Sequence, residues 1–225
     1  MKFHRTISIL ILILFFVQVN VNEAICGPTQ PTIEIGLNDK AKGKKHKKKL
    51  EEFKASVSPT DDLSSFNYHE ISYVINADFA TVWNCYTTTN PNAVWDGPLN
   101  TYSRSYSRNS DMNYTSGDEK QPKAELDMVY ELKLNFSKVF NIIVTFQITK
   151  LDCDEKVIEF TYGQDNKSHG FQRMVFQPDG DKTRIIHSTR FKSDNKFRDT
   201  RIYPKYHEKC LNEYHGNLRA IAEHK

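Results

Sequence analysis

The residues that most suggest chemistry are one histidine and two tyrosines on strand-like segments whose alternate positions are apolar. His187 falls on the apolar side of the segment Thr183–Lys192, and Tyr130 and Tyr162 fall on the apolar sides of two others. An imidazole held among apolar neighbours can act as a general base, and tyrosine hydroxyls can donate hydrogen bonds to a developing oxyanion. An inward histidine with no partner in sequence is more often a satisfied core residue. We therefore predict that His187 contacts a ligand or the core, and assign no catalytic residue.

Other patterns that would indicate catalysis or metal binding are missing from the sequence. The eight histidines are scattered and the four cysteines form no Cys-x-x-Cys pair, so we predict no zinc site. His207 and His215 lack the carboxylate spacing of a helical zinc protease. The sequence has no nucleophile elbow, phosphate loop or paired-carboxylate motif. We expect neither a metal nor a cofactor.

The elements that must position these side chains are predicted from hydrophobic periodicity. Apolar residues alternate with polar ones over 126–136, 142–149 and 157–162, which indicates half-buried antiparallel strands. An Asp-Gly pair at 179–180 separates two further β-rich runs and predicts a hairpin. A helix is predicted from Tyr203 onward. Its apolar stripe comprises Tyr206, Cys210, Tyr214, Leu218 and Ile221.

The order of these elements resembles a known superfamily. A first strand ends in Ile75-Asn76-Ala77, a short helix contains Val82-Trp83, and Trp95-Asp96 follows in a second short turn. Together with the later hairpin and terminal helix, this arrangement resembles the START/Bet v 1-like (SRPBCC) superfamily of helix-grip domains. The resemblance implies an α+β fold, in which a curved antiparallel sheet wraps around a long C-terminal helix and two short helices follow the first strand.

The same resemblance implies a cavity between the sheet and the C-terminal helix, with hydrophobic small molecules or lipids as the usual cargo. Strand parity and the helical stripe select the side chains that would contact such a ligand. These are Tyr130, Phe146, Phe160, Tyr162, Met174, Phe176 and His187 from the sheet, and Tyr206 and Tyr214 from the helix.

Three functions remain compatible with these residues. We expect a secreted protein that binds or carries a hydrophobic, lipid-like ligand. The first alternative is a non-catalytic interaction module whose own Phe and Tyr side chains fill the interior. The second is a polyketide cyclase-like enzyme that would depend on His187. Because members of one fold perform unrelated functions, the resemblance does not decide among them.

The N-terminal part of the chain predicts export. Residues 1–26 combine a basic start, an apolar stretch and small residues near the end, as in a secretory signal peptide. Residues 27–65 are predicted to form a disordered, lysine-rich linker, and the domain is predicted to span 66–225. We therefore expect a secreted or extracytoplasmic location, with possible surface association.

Charge is concentrated in that linker. Seven of the ten residues Lys40–Lys49 are lysines, and without them the formal charge changes from +3 to −4. The domain is thus mildly acidic, which argues against a nucleic-acid partner. The lysine run either serves as a solvated spacer or attracts the protein to an anionic membrane surface.

Overall fold

The computed structural model describes residues 49–58, 60–137 and 141–224. The predicted signal peptide and all of the lysine run except Lys49 lie outside these residues, so both stay predictions. Within the described residues, no helix is long and apolar enough to cross a membrane. The described cysteines Cys85 and Cys210 are buried and Cys153 is exposed, and all three are free thiols.

The described residues form one antiparallel sheet in the order β1-β8-β7-β6-β5-β4-β2-β3. Its strands are β1 (Asn67–Ile75), β2 (Asn100–Ser107), β3 (Met112–Thr115), β4 (Val129–Asn135), β5 (Asn141–Asp152), β6 (Val157–Tyr162), β7 (Ser168–Asp179) and β8 (Lys182–Ser193). Two short helices, Phe79–Thr88 and Pro91–Val94, follow β1. A π-helical turn, Arg198–Ile202, leads into the C-terminal helix, Tyr203–Glu223. The predicted helix-grip architecture is confirmed.

Local signals in the sequence fix where the short helices begin. The carboxylate of Asp78 accepts a hydrogen bond from the backbone N–H of Thr81 at 3.0 Å, which caps the first helix. The amide oxygen of Asn90 accepts from the backbone N–H of Asn92 at 2.8 Å, and Pro91 occupies the first turn of the second helix. These caps place Trp83 and Trp95 between the helices and the sheet.

Two glycines permit the hairpin formed by β7 and β8. Asp179 pairs with Lys182, so Gly180 and the following residue make a two-residue turn, with Gly180 at φ 65°. Gly170 on β7 has φ 145°, and a Cβ there would lie 1.9 Å from the carbonyl oxygen of Arg190. Only glycine allows this close approach of β7 to β8.

The buried stripe of the C-terminal helix differs from the prediction by about one residue around its axis. The side chains that the sheet buries are Cys210, Leu211, His215, Leu218 and Ala222. The predicted Tyr206, Tyr214 and Ile221 are only partly buried, along the flank of this stripe. The physical reason is His215, which is 1% exposed and fully hydrogen-bonded, so a polar residue occupies the centre of the buried face.

The outer, convex face of the sheet is partly covered by residues 49–58, which we call the N-terminal strap. Leu50 is 3% exposed and packs with Tyr106 and Val129. The backbone N–H of Ser56 donates to the carbonyl of Tyr162 at 2.7 Å. Residues 50–56 therefore contact the sheet, and the domain start at residue 66 stays a prediction.

Strand β4 also starts later than the predicted segment. The backbone turns at Asp127, where φ is 65°, and Leu126 is left 48% exposed. From Val129 to Leu132 every side chain is buried, because the strap covers the outer face while Tyr130 and Leu132 pack into an aromatic cluster on the inner face.

Candidate functional site

The concave face of the sheet collects the side chains that strand parity selected. Tyr130, Met174, Phe176 and His187 are each at most 2% exposed. Four more of the predicted residues pack into the same interior: Phe146, Phe160, Tyr162 and Tyr214. Tyr206 is separate, since its ring packs edge-on against Phe136 at 5.0 Å, beside the end of β4.

Aromatic rings fill much of the space between the sheet and the C-terminal helix. Trp95 connects the two inner clusters, with ring centroids 5.1 Å from Tyr130, 5.8 Å from Phe146 and 5.9 Å from Tyr214. Phe146 also contacts Phe160 at 5.0 Å. These offset and edge-on arrangements are favourable pairings of aromatic rings. The protein's own side chains therefore occupy the region where the resemblance implied a cavity.

A continuous hydrogen-bonded chain crosses this interior. The hydroxyl of Tyr86 lies 2.6 Å from Nδ1 of His215, and Nε2 of His215 lies 2.8 Å from Nδ1 of His187. Nε2 of His187 lies 2.6 Å from Oε1 of Gln172. The Gln172 amide donates to the hydroxyl of Tyr162 at 2.6 Å. Residues of the first helix, the C-terminal helix, β6, β7 and β8 thus contribute to one buried polar chain.

Two further residues lie at the Tyr162 end of this chain. The Tyr203 hydroxyl is 2.5 Å from that of Tyr162, and Nε2 of His207 is 3.4 Å from it. Tyr203 also stacks on His207 at 4.9 Å and on Phe191 at 3.9 Å. The first turn of the C-terminal helix therefore closes the interior over β8.

The direction of the chain follows from the amide oxygen of Gln172, which can only accept. His187 must donate from Nε2, so its Nδ1 accepts from His215, whose Nδ1 in turn accepts from the hydroxyl of Tyr86. This assignment requires both imidazoles to be neutral. Burial is the main cause that lowers the pKa of His187 well below its usual range and that of His215 to about 3.

These contacts limit what His187 can do chemically. Both of its ring nitrogens are already hydrogen-bonded, one to His215 and one to Gln172. A general base needs a lone pair within reach of the substrate proton. Burial also raises the pKa values of Tyr86 and Tyr162, so their hydroxyls stay protonated. The arrangement favours a fixed, neutral network over acid–base turnover.

Beside the chain, three buried polar atoms have no hydrogen-bond partner: Nδ1 of His69, Oγ1 of Thr189 and Nδ1 of His207. His69 on β1 is directly opposite Thr189 on β8, and the His69 and His207 rings are 6.1 Å apart. His207 is also 6.5 Å from His187. We call His69, Thr189 and His207 the polar triangle. Buried polar atoms without partners are rare in folded proteins, and a bound water or ligand is one way to satisfy them.

Two open cavities of ligand size lie on the opposite, outer face of the sheet. One, of about 450 Å³, lies between the N-terminal strap and β4 to β6, with Leu50, Phe53 and Ile143 among its walls. The other, of about 440 Å³, lies between Val57 and the outward side chains of β5 and β6. Neither contains a residue of the predicted ligand site.

Metal binding has no support in this interior, despite its histidines. Among the described residues, no group of three or more His, Cys, Asp or Glu side chains is arranged to hold a metal ion. The paired ring nitrogens of His187 and His215 are already used by hydrogen bonds.

Sequence reasoning missed most of the polar chain. Tyr86, Gln172 and Tyr203 were not selected, and His207 and His215 were considered only as metal ligands. Gln172 shares the parity of the selected Met174 and Phe176, so the same rule could have found it. His215 lies four residues after the buried Leu211, so both are on the same face of the helix. That spacing identifies His215 only if polar residues are counted when the buried face is predicted.

Comparison with known proteins supports the fold and leaves the activity open. No family model and no curated protein matches the sequence. A norcoclaurine synthase from Thalictrum flavum, solved in complex with dopamine and hydroxybenzaldehyde, is similar with a TM-score of 0.51 and 12% identity, over 88% of this chain and 99% of that one. The ginseng major latex-like protein 151 from Panax ginseng gives 0.51 and 11% identity, over 69% and 97%. A protein from Thermus thermophilus gives 0.50 and 10%, over 69% and 97%.

These similarities, at such low identity, show the fold alone. The chain has the helix-grip fold of START/Bet v 1-like proteins, as the resemblance implied.

Proposed function

We propose that this protein binds a small hydrophobic ligand between the curved sheet and the C-terminal helix, with a polar end of the ligand at the polar triangle. The observation that carries the proposal is the set of unpartnered atoms on His69, Thr189 and His207. A ligand that hydrogen-bonds there removes the penalty of leaving buried polar groups unsatisfied. The helix-grip fold, shared with a solved protein that holds aromatic small molecules, supports the same conclusion.

Binding must displace side chains, because aromatic rings occupy the interior. The start of the C-terminal helix is the part of the wall best suited to move. Tyr203, Tyr206 and His207 are only partly buried there, whereas Leu218 and Ala222 near its other end are at most 3% exposed. Opening this end would uncover the triangle and the apolar rings beside it, while the far end stays packed on the sheet.

A filled interior also supports a second candidate, a non-catalytic interaction module. Trp95 and its neighbours are in mutual ring contact, and the two ligand-sized cavities lie on the outer face. A cyclase-like activity has less support, since both nitrogens of His187 are engaged by the protein.

The sequence alone motivates two further parts of the proposal, namely export of the protein and its attraction to a membrane surface. The signal-like residues 1–26 and the lysine run Lys40–Lys49 motivate a secreted carrier held near an anionic membrane surface.

The proposal is tested by locating the binding site with two matched variants of the full chain. Thr189 and Ser188 are neighbours on β8, but Thr189 is 1% exposed on the inner face and Ser188 points to the outer face. We expect the wild type and Ser188→Phe to bind the neutral fluorescent probe N-phenyl-1-naphthylamine, and Thr189→Phe to lose that binding. If Thr189→Phe lacks the wild-type circular dichroism spectrum, Ile71→Phe on β1 replaces it.

Native mass spectrometry of the purified wild type complements the probe. A small molecule that copurifies would identify the ligand class directly. Equal probe binding by wild type and the inner-face variant would contradict the proposed location. A wild type that carries no ligand and binds no probe would contradict ligand binding and favour the filled interaction module.

A further inference from the structure

We infer that the ligand is uncharged and presents a hydroxyl group, as an alcohol or phenol does, to the polar triangle of His69, Thr189 and His207. This inference rests on the proposed function and deepens it, since it names the chemical class that the site selects.

The three residues of the triangle lie on neighbouring elements. Thr189 lies between His187 and Phe191 on the inner face of β8. His207 approaches this strand from the helix, because its ring is 6.5 Å from His187 and Tyr203 stacks on both His207 and Phe191. His69 completes the group from β1, opposite Thr189.

The atoms of the triangle suit a hydroxyl group. The hydroxyl of Thr189 can donate or accept a hydrogen bond, and each Nδ1 does one or the other according to its tautomer. A ligand hydroxyl both donates and accepts, so it can satisfy two of these atoms at once. An alkyl chain or plain aromatic ring would satisfy none and would leave them buried without partners.

Charge selects against a carboxylate. Among the described residues, no lysine or arginine is buried; the buried charged side chains are Glu131 and Asp199. Glu131 pairs with Arg104 on the outer face, and Asp199 accepts from Ser193 at the end of β8. A carboxylate at the triangle would therefore be buried without a cation, which costs far more free energy than burying a hydroxyl.

The low pKa of His207 reinforces this selection. Burial, followed by the proximity of His187 and His69, lowers the pKa of His207 well below its usual range. Near neutral pH His207 thus offers a hydrogen bond without positive charge.

The test compares three probes of the same shape on the full-length protein by isothermal titration calorimetry at neutral pH. 4-Heptylphenol presents a hydroxyl, 4-heptylbenzoate presents a carboxylate, and heptylbenzene presents neither. We expect the phenol to bind about tenfold or more tightly than either of the others, as one or two buried hydrogen bonds would give.

Two threonine variants separate the triangle from general effects. Thr189→Val removes the hydroxyl at constant shape, and should weaken phenol binding about five- to tenfold while leaving heptylbenzene unchanged. Thr161→Val is the control, because Thr161 is similarly buried but donates to the carbonyl of Gly170 on the outer side. It should leave both affinities unchanged.

The outcomes distinguish this inference from the proposed function. Benzoate binding as tight as phenol binding, or phenol binding unaffected by Thr189→Val, would overturn the hydroxyl inference while ligand binding stands. Failure of all three probes to bind would overturn both.

Discussion

The two faces of one sheet handle polar groups in opposite ways. On the inner face, uncharged side chains bond to one another in a single chain from Tyr86 to Tyr162. On the outer face, polar groups include charged pairs, such as Arg104–Glu131 and Arg173–Glu159. Alternation along each strand separates these environments residue by residue. A dry interior tolerates polar groups only when they are neutral and paired, and the polar triangle is the place where this rule is left incomplete.

Lowering the pH should destabilise the inner face of the sheet and give the largest change in the free energy of unfolding. Burial lowers the pKa values of His187, His207 and His215 in the folded protein, whereas an unfolded histidine takes up its proton near about pH 6.5. Below that pH the unfolded state binds more protons, so the free energy of unfolding falls as pH decreases. Below about pH 6.5, each histidine lowers the free energy of unfolding by about 1.4 kcal/mol per pH unit, so the three together lower it by about 4 kcal/mol per pH unit.

Urea unfolding between pH 7.5 and pH 5 measures this loss. Stability should be greatest above about pH 6.5, and for His215 the loss extends down to about pH 3. The variant His215→Gln, which cannot take up a proton, should show a shallower dependence on pH. An unfolding free energy that is the same at pH 7.5 and pH 5 would contradict the neutral network.

A truncation on each face compares their packing. Phe176 is 1% exposed and contacts Trp83 and Tyr86 edge-on, so Phe176→Ala should lower the free energy of unfolding by about 3–5 kcal/mol. Ile143 is 52% exposed on the outer face, and Ile143→Ala should change it by less than about 0.5 kcal/mol. Urea denaturation measures both, and similar losses would show that the faces do not differ in packing.

The strap offers the smallest of the three effects. Leu50→Ala should destabilise the protein by about 2 kcal/mol, at the low end for a buried leucine, because residues 49–58 can detach while the inner core stays packed. Glu52→Ala, in the same turn but exposed, is the control. Thermal unfolding checks the difference; identical midpoints for the two variants would mean that the strap does not stabilise the sheet.

Much of the fold was predictable because strand alternation and helix caps are local signals. Strand β3, Met112–Thr115, was missed because it is short, polar and at the edge of the sheet, where burial imposes no pattern. The strap was missed because Leu50 and Phe53 are too few to show periodicity. Val129, an apolar exception on the outer side of β4, was the one sequence sign that this face is covered.

The site was only partly predictable, because its polar members depend on partners far away in sequence. His187 was identified by parity, but its partners His215 and Gln172 are contributed by a helix and by another strand. Hydrophobic periodicity depends only on where apolar residues recur, so it does not detect hydrogen bonds between residues far apart in sequence. The polar triangle needs three separate elements to meet, and only tertiary structure shows that they do.

The one-way order of the inner chain makes its protons act as a unit. If a single imidazole changed tautomer, two N–H groups or two lone pairs would face each other at the His187–His215 contact, and a change at His187 would also set two acceptors against each other at Gln172. Reversal therefore requires both rings to change together and the Gln172 amide to rotate with them. Such cooperativity should make the imidazole protons exchange with solvent slowly and at a common rate, a property that NMR can observe directly.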